Sequence, residues 1–118
     1  MLHQSIYDHL VSLCDEYYLL QEQVQDIVVK FNTSMDDVAR DNLRKELAST
    51  NDEIENVSKS FMGEVKQSVD DICNGVNDSI AGYMKQKVLS PIDVSSDASK
   101  YNRINRLKEL DEYVDALK

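Results

Sequence analysis

The sequence predicts an all-α protein, and three observations carry that expectation. Apolar side chains recur at steps of three and four along most of the 118 residues. Helix breakers are scarce, with 3 Gly and 1 Pro. Charged residues make up 30% of the chain and there is no Trp, a composition that suits long helices. A strand repeats every two residues and cannot produce this stripe.

The first helix is expected over residues 4–31. Ile6, Leu10, Leu13, Tyr17, Leu20, Val24, Ile27 and Phe31 alternate steps of four and three, a heptad seam of nearly four repeats. Tyr7, Tyr18, Leu19 and Val28 widen the apolar face. Asn32, Thr33 and Ser34 are N-cap residue types, and Asp36 and Asp37 carry charge favoured near a helix N-terminus. They predict a tight turn and a second helix from about residue 35, antiparallel to the first.

The second helix is expected over residues 35–89. Leu43, Leu47, Thr50, Ile54, Val57 and Phe61 continue the heptad. From Phe61, the stripe Val65, Val69, Ile72, Val76, Ile80 and Tyr83 follows an 11-residue repeat. Because the phase runs through Phe61 unbroken, one helix of about 80 Å is the simpler reading. The competing reading breaks it near Ser58–Gly63. Ser90-Pro91 ends the region, since proline removes a backbone donor and restricts the residue before it. A last helix over residues 97–117, capped by Ser96 or Asp97, carries Tyr101, Ile104, Leu107, Leu110, Val114 and Leu117.

The expected architecture is a single domain, residues 1–118: an elongated antiparallel hairpin or bundle of three long helices. A compact four-helix bundle is the alternative if the middle helix breaks. In the elongated form the first helix covers only the N-terminal half of the middle one, and the last helix only its C-terminal half. Much apolar surface then stays wet, at about 25 cal/mol per Å². The chain is therefore expected to be a non-catalytic protein–protein interaction module, a structural or adaptor subunit of a coiled-coil-like oligomer or hetero-complex. The expected partner interface is Leu13, Tyr17, Leu20, Val24, Ile54, Val57, Phe61, Val65, Val69, Ile72, Val76 and Ile80. Tyr17 and Tyr18 are its first candidate hot spot, with ordinary core-edge packing the slightly favoured alternative for this pair.

Charge narrows the partner. The formal net charge is −9, which disfavours wrapping nucleic acid or docking electrostatically on an anionic membrane. It suggests a second reading, an acidic inhibitor or immunity-type protein that blocks a basic site on a target. Basic residues gather only locally, as Lys85, Lys87, Lys100, Arg103, Arg106 and Lys108 against Asp93 and Asp97, a cluster expected to be a solvated face with helix-end charges. The first residues have no basic n-region or long apolar run, and no stretch reaches the roughly 20 apolar residues of a membrane span. An intracellular location, cytoplasmic or nuclear, is expected.

No constellation for catalysis is legible. His3 and His9 are six apart and do not share a helix face. Cys14 and Cys73 have no second cysteine at C-x-x-C spacing. Asp36-Asp37, Asp70-Asp71 and the acids of residues 52–55 fall mostly off the apolar stripe. Glycine-rich phosphate loops, calcium loops, H-E-x-x-H and G-x-S-x-G are missing. The expectation is no enzyme, no cofactor, no metal and no small-molecule substrate. Ser90 before Pro91 is a proline-directed phosphorylation pattern, though such a pair more often serves only as a helix stop.

The stretch from Tyr83 to Leu117, YMKQKVLSPIDVSSDASKYNRINRLKELDEYVDAL, resembles a helical segment of BAR-type membrane-shaping domains, in which a proline interrupts a long helix before a basic stretch. That resemblance implies a membrane-associated fragment, a reading that the acidic balance opposes. In length and helix layout the chain is also similar to small helical head-module subunits of the transcriptional Mediator and to tubulin-folding cofactor A. No residue roles carry over from any of them.

Overall fold

The heptad seam of the first thirty residues folds as α1, Gln4–Thr33, and the continuing seam as α2, Asp37–Cys73. Two shorter helices follow, α3 over Asp78–Leu89 and α4 over Asn102–Leu117. The computed structural model describes residues 1–91 and 100–117. The expected cap of the last helix at Ser96 or Asp97 lies outside the described residues.

Side-chain caps set the helix starts. His3 Nδ1 accepts from the backbone N–H of Ser5 at 3.1 Å and opens α1. Asp36 Oδ1 accepts from Val38 N–H at 3.2 Å and opens α2. The capping residue is thus Asp36, and the expected candidates Asn32 and Thr33 belong to the last turn of α1. Only Ser34, Met35 and Asp36 separate the two helices, which therefore run antiparallel as neighbours.

The continuous middle helix does not form. It ends at Cys73, about a dozen residues beyond the alternative break near Ser58–Gly63. Asn74 (φ −60°, ψ 121°) and Gly75 (φ 84°) occupy the two central positions of a type II turn. Val76 N–H closes the turn by donating to Cys73 C=O at 3.0 Å. The second central position requires positive φ, which glycine adopts without a Cβ penalty. Asn77 Oδ1 then accepts from Ser79 N–H at 3.0 Å and starts α3. After the turn the buried positions are Ala81 and Val88, so the buried face has moved off the extrapolated Ile80.

A second difference concerns coverage. α1 runs along nearly the whole of α2, with His9 pairing with Glu64 near one end and Ile27 beside Leu43 and Leu47 near the other. Helices α3 and α4 then pack on the far end of this hairpin, away from its loop. There the main core forms from Leu10, Cys14, Val65, Val69, Val88, Ile104, Leu107 and their neighbours, several of them fully buried. The result is a four-helix head with a two-helix arm. The arm buries only Leu20, Ile27, Thr50 and Val57, and none of these joins the main core. The molecule measures 64 × 27 × 21 Å with a radius of gyration of 18.6 Å. A compact chain of this length would have about 13–14 Å.

Candidate interaction surfaces

Polar ties lock the head. The buried Asp111 of α4 accepts at Oδ2 from the Tyr7 hydroxyl at 2.7 Å and from Leu2 N–H at 2.9 Å. Burial, helped by the hydrogen bond to Asp111, pushes the Tyr7 hydroxyl well above its ordinary pKa. Near the start of α4, Asp15 Oδ1 accepts from the Tyr101 hydroxyl at 2.6 Å and from Lys100 Nζ at 2.7 Å. The bond from Lys100 holds the Asp15 carboxyl below its usual range, and the same bond raises Lys100. Lys85 meets Asp70 at 3.0 Å and ties α3 to α2. These contacts fix helices to one another, and Asp111 and Leu2 also line a small pocket of about 190 Å³ with Asp71, Ile72, Val114 and Asp115. Among the described residues no cluster of His, Cys, Asp and Glu is gathered as a metal site. Burial raises both thiols, Cys14 and Cys73, an environment that suppresses the reactive thiolate.

The sequence-derived interface separates into two groups. Val65, Val69 and Ile72 are buried against the chain's own helices and offer a partner no surface. Phe61 and Val76 pack against the same core from its edge. Leu13, Tyr17, Val24 and Ile54 are half-buried along the hairpin, while Leu20 and Val57 are buried within it. Ile80 alone of the twelve is exposed, at 41%. Tyr17 and Tyr18 meet edge to face at 5.6 Å, with Lys100 above the Tyr18 ring at 5.3 Å, so this pair belongs to the junction of head and arm.

Two surfaces that the periodicity did not single out remain open. One is the end of the arm. A groove of about 270 Å³ lies between α1 and α2, lined by Ile27, Val28, Phe31, Leu43, Arg44 and Leu47. Phe31 is held under Arg40 and Arg44, at 4.3 and 5.1 Å. Near the groove, Val38 is 69% and Met35 97% exposed. Farther along α1, Tyr18 and Val29 are eleven residues apart, three turns, and share its outer face. Residues 16–57 hold ten acidic and four basic side chains, a net −6 of the chain's −9.

The second surface is a cleft of about 490 Å³ between α3 and α4. Its floor is Met84, Val88 and Leu110, and Lys87, Ser90, Arg106, Glu109 and Tyr113 line its sides. Exposure alone identifies both surfaces: the sequence gives the apolar residues, but which of them the head consumes depends on where α2 stops. Among the described residues, no helix is long and apolar enough to cross a membrane. Comparison with protein-family models, with curated proteins and with solved structures yields no match.

Proposed function

We propose that this chain is a non-catalytic helical subunit that acts by binding a protein partner through the end of its arm. One observation carries the reading. The head closes its own core, whereas the arm is two helices thick and keeps an apolar groove with Val28, Met35 and Val38 exposed around it. A two-helix layer buries only part of each apolar stripe, and an additional helix laid along it would bury the rest. The acidic arm asks for a partner whose apolar stripe is flanked by Lys or Arg. It also opposes side-by-side pairing of two arms of the same chain, which would bring like charges together.

The test is association at micromolar concentration by sedimentation velocity, with and without cell extract from the source organism. Wild type is compared with a Val28→Glu/Val38→Glu variant, whose changes fall at exposed positions. The expected result is a larger complex that the double variant loses while its helical signal and melting stay unchanged. A monomer that retains nothing, or a complex indifferent to the two glutamates, overturns the proposal.

The net −6 of residues 16–57 favours a second reading, an acidic arm that blocks a basic site on its target. Salt separates the two. Blocking by charge weakens by orders of magnitude between low and high ionic strength, whereas apolar helix packing persists.

A further inference from the structure

At the end of α3, two arginines of α4 reach the backbone carbonyls of the last turn, one of them that of a serine. Arg103 donates from Nη1 to the carbonyls of Val88 at 2.6 Å and of Ser90 at 3.2 Å. Arg106 donates from Nη1 to Lys87 C=O at 3.3 Å. Lys87 stands one turn before Ser90, with its ammonium above the Tyr83 ring at 4.9 Å. Lys87, Ser90 and Arg106 line the same cleft, with Glu109 across from them. The group is rich in positive charge. Burial, with Arg106 close by, pulls the Arg103 guanidinium below its ordinary range, and its hydrogen bonds go to carbonyls, not carboxylates. The Arg103 guanidinium at the Ser90 carbonyl, with Arg106 lining the same cleft as Ser90, offers fork-type donors to a doubly charged anion.

Ser90 is placed to carry one. It caps α3 with extended backbone, φ −61° and ψ 153°, as a residue before proline should. Pro91 is exposed and is the chain's single proline, so this is its one Ser-Pro pair. An extended serine followed by an accessible proline is the form that the active site of a proline-directed protein kinase accepts.

We propose that Ser90 is a phosphorylation site for a proline-directed protein kinase, and that Arg103 and Arg106 receive the phosphate. In the transfer, Ser90 Oγ attacks the γ-phosphorus of a nucleoside triphosphate. The Oγ–P bond forms as the bond from the γ-phosphorus to the β–γ bridging oxygen breaks. The hydroxyl proton passes to the kinase's base, and the nucleoside diphosphate leaves. The phosphoryl group then sits within a side chain's length of the Arg103 fork, already 3.2 Å from the carbonyl of the same residue. The field at a helix C-terminus opposes an added anion, but fork-type pairing with guanidinium outweighs it. The modification neutralises the basic wall of the α3–α4 cleft, so an acidic ligand drawn there before phosphorylation is discouraged afterwards.

The experiment treats the folded full chain with a purified proline-directed kinase and ATP, maps the product by mass spectrometry, and follows the phosphate by ³¹P NMR against pH. A synthetic peptide spanning Ser90-Pro91 is the accessibility control. The expected outcome is one phosphate at Ser90, with its second pKa at least about one unit below the ordinary value near 6. The same phosphoprotein unfolded in urea should return to about 6, and so should a folded Arg106→Gln variant in part. Arg103→Lys, which keeps charge but loses the fork, should recover less than half of the shift. Labelling of the peptide but not of the folded chain overturns the proposal. So does a phosphate that titrates identically in the folded and urea-unfolded protein, a comparison that needs no variant.

Discussion

Replacing Tyr7 with Phe tests how the last helix is fastened to the first. The ring is retained and only the hydroxyl goes, so the apolar contacts of Tyr7 in the core stay in place. Asp111 is 3% exposed, and its Oδ2 accepts from two donors, Tyr7 and Leu2. Losing one donor leaves a buried carboxylate short of a hydrogen bond that water reaches poorly. Hydrogen bonds to charged groups contribute about 1.5–3 kcal/mol, so a loss of about 2 kcal/mol is expected. For a chain of this length that lowers Tm by roughly 6–12 °C. The assay is reversible urea and thermal unfolding followed by circular dichroism, for wild type, Tyr7→Phe, Asp111→Ala and the double variant. In the Asp111→Ala background the tyrosine has no acceptor, so its replacement should cost almost nothing. The coupling between the two sites should then be about 1–2 kcal/mol. A Tyr7→Phe loss below about 0.5 kcal/mol, or two single losses that simply add, would refute the assignment of this bond as a structural tie.

Alkaline unfolding should report on the same tyrosine. Its pKa is raised in the folded state, so its contribution is complete below about 10, the unfolded value. It fades as pH rises toward the folded value, and stability should therefore fall more steeply above pH ~10 in wild type than in Tyr7→Phe. On the acid side, Asp15 is lowered in the folded state, so its contribution is present above about 3.9 and is lost as pH falls through the folded value. An Asp15→Asn variant should flatten the acid limb of the stability profile. Gly75→Ala should cost about 1–2 kcal/mol through its positive φ, although a Cβ there meets open space, so equilibrium unfolding separates backbone strain from crowding. Val69→Ala in the head should cost about 2 kcal/mol and Val57→Ala in the arm about half as much, because a two-helix layer relaxes around the gap. Native-state hydrogen exchange should agree, with arm amides opening at lower free energy than those of the head.

Much of this arrangement is legible in the residues themselves. The seam from Ile6 to Phe31 is long enough to dictate α1, and the polar run after it dictates a turn. The break at Gly75 is different. Asn74-Gly75 followed by Asn77-Asp78-Ser79 is a turn and cap signal, yet Val76 and Ile80 continue the apolar phase across it. Periodicity measures which residues are apolar, not whether the backbone between them stays helical, and the local turn prevails because only glycine adopts its second central position at no cost. Val65, Val69 and Ile72, expected in the partner interface, are buried for the same reason: once α2 stops, α3 and α4 fold back and cover them. Asp111 was not foreseen as a buried group. Its partner Tyr7 is 104 residues away, and no spacing rule connects the two. The Arg103 and Arg106 pair was visible as part of a basic run. What the sequence could not convey is that the end of α3 gathers them at Ser90.

The order of helices also bears on how the molecule is made. A ribosome delivers α1 and α2 first, and their three-residue connection lets the hairpin zip at small loop-closure cost. The contacts that seal the thick end, such as Tyr7 with Asp111, must wait until nearly all of this sequence has been synthesised. During that interval Leu10, Val65 and Val69 face solvent or a chaperone uncovered. A nascent chain stalled before α4 should therefore be sticky and protease-sensitive at its thick end, while its slender end is already complete.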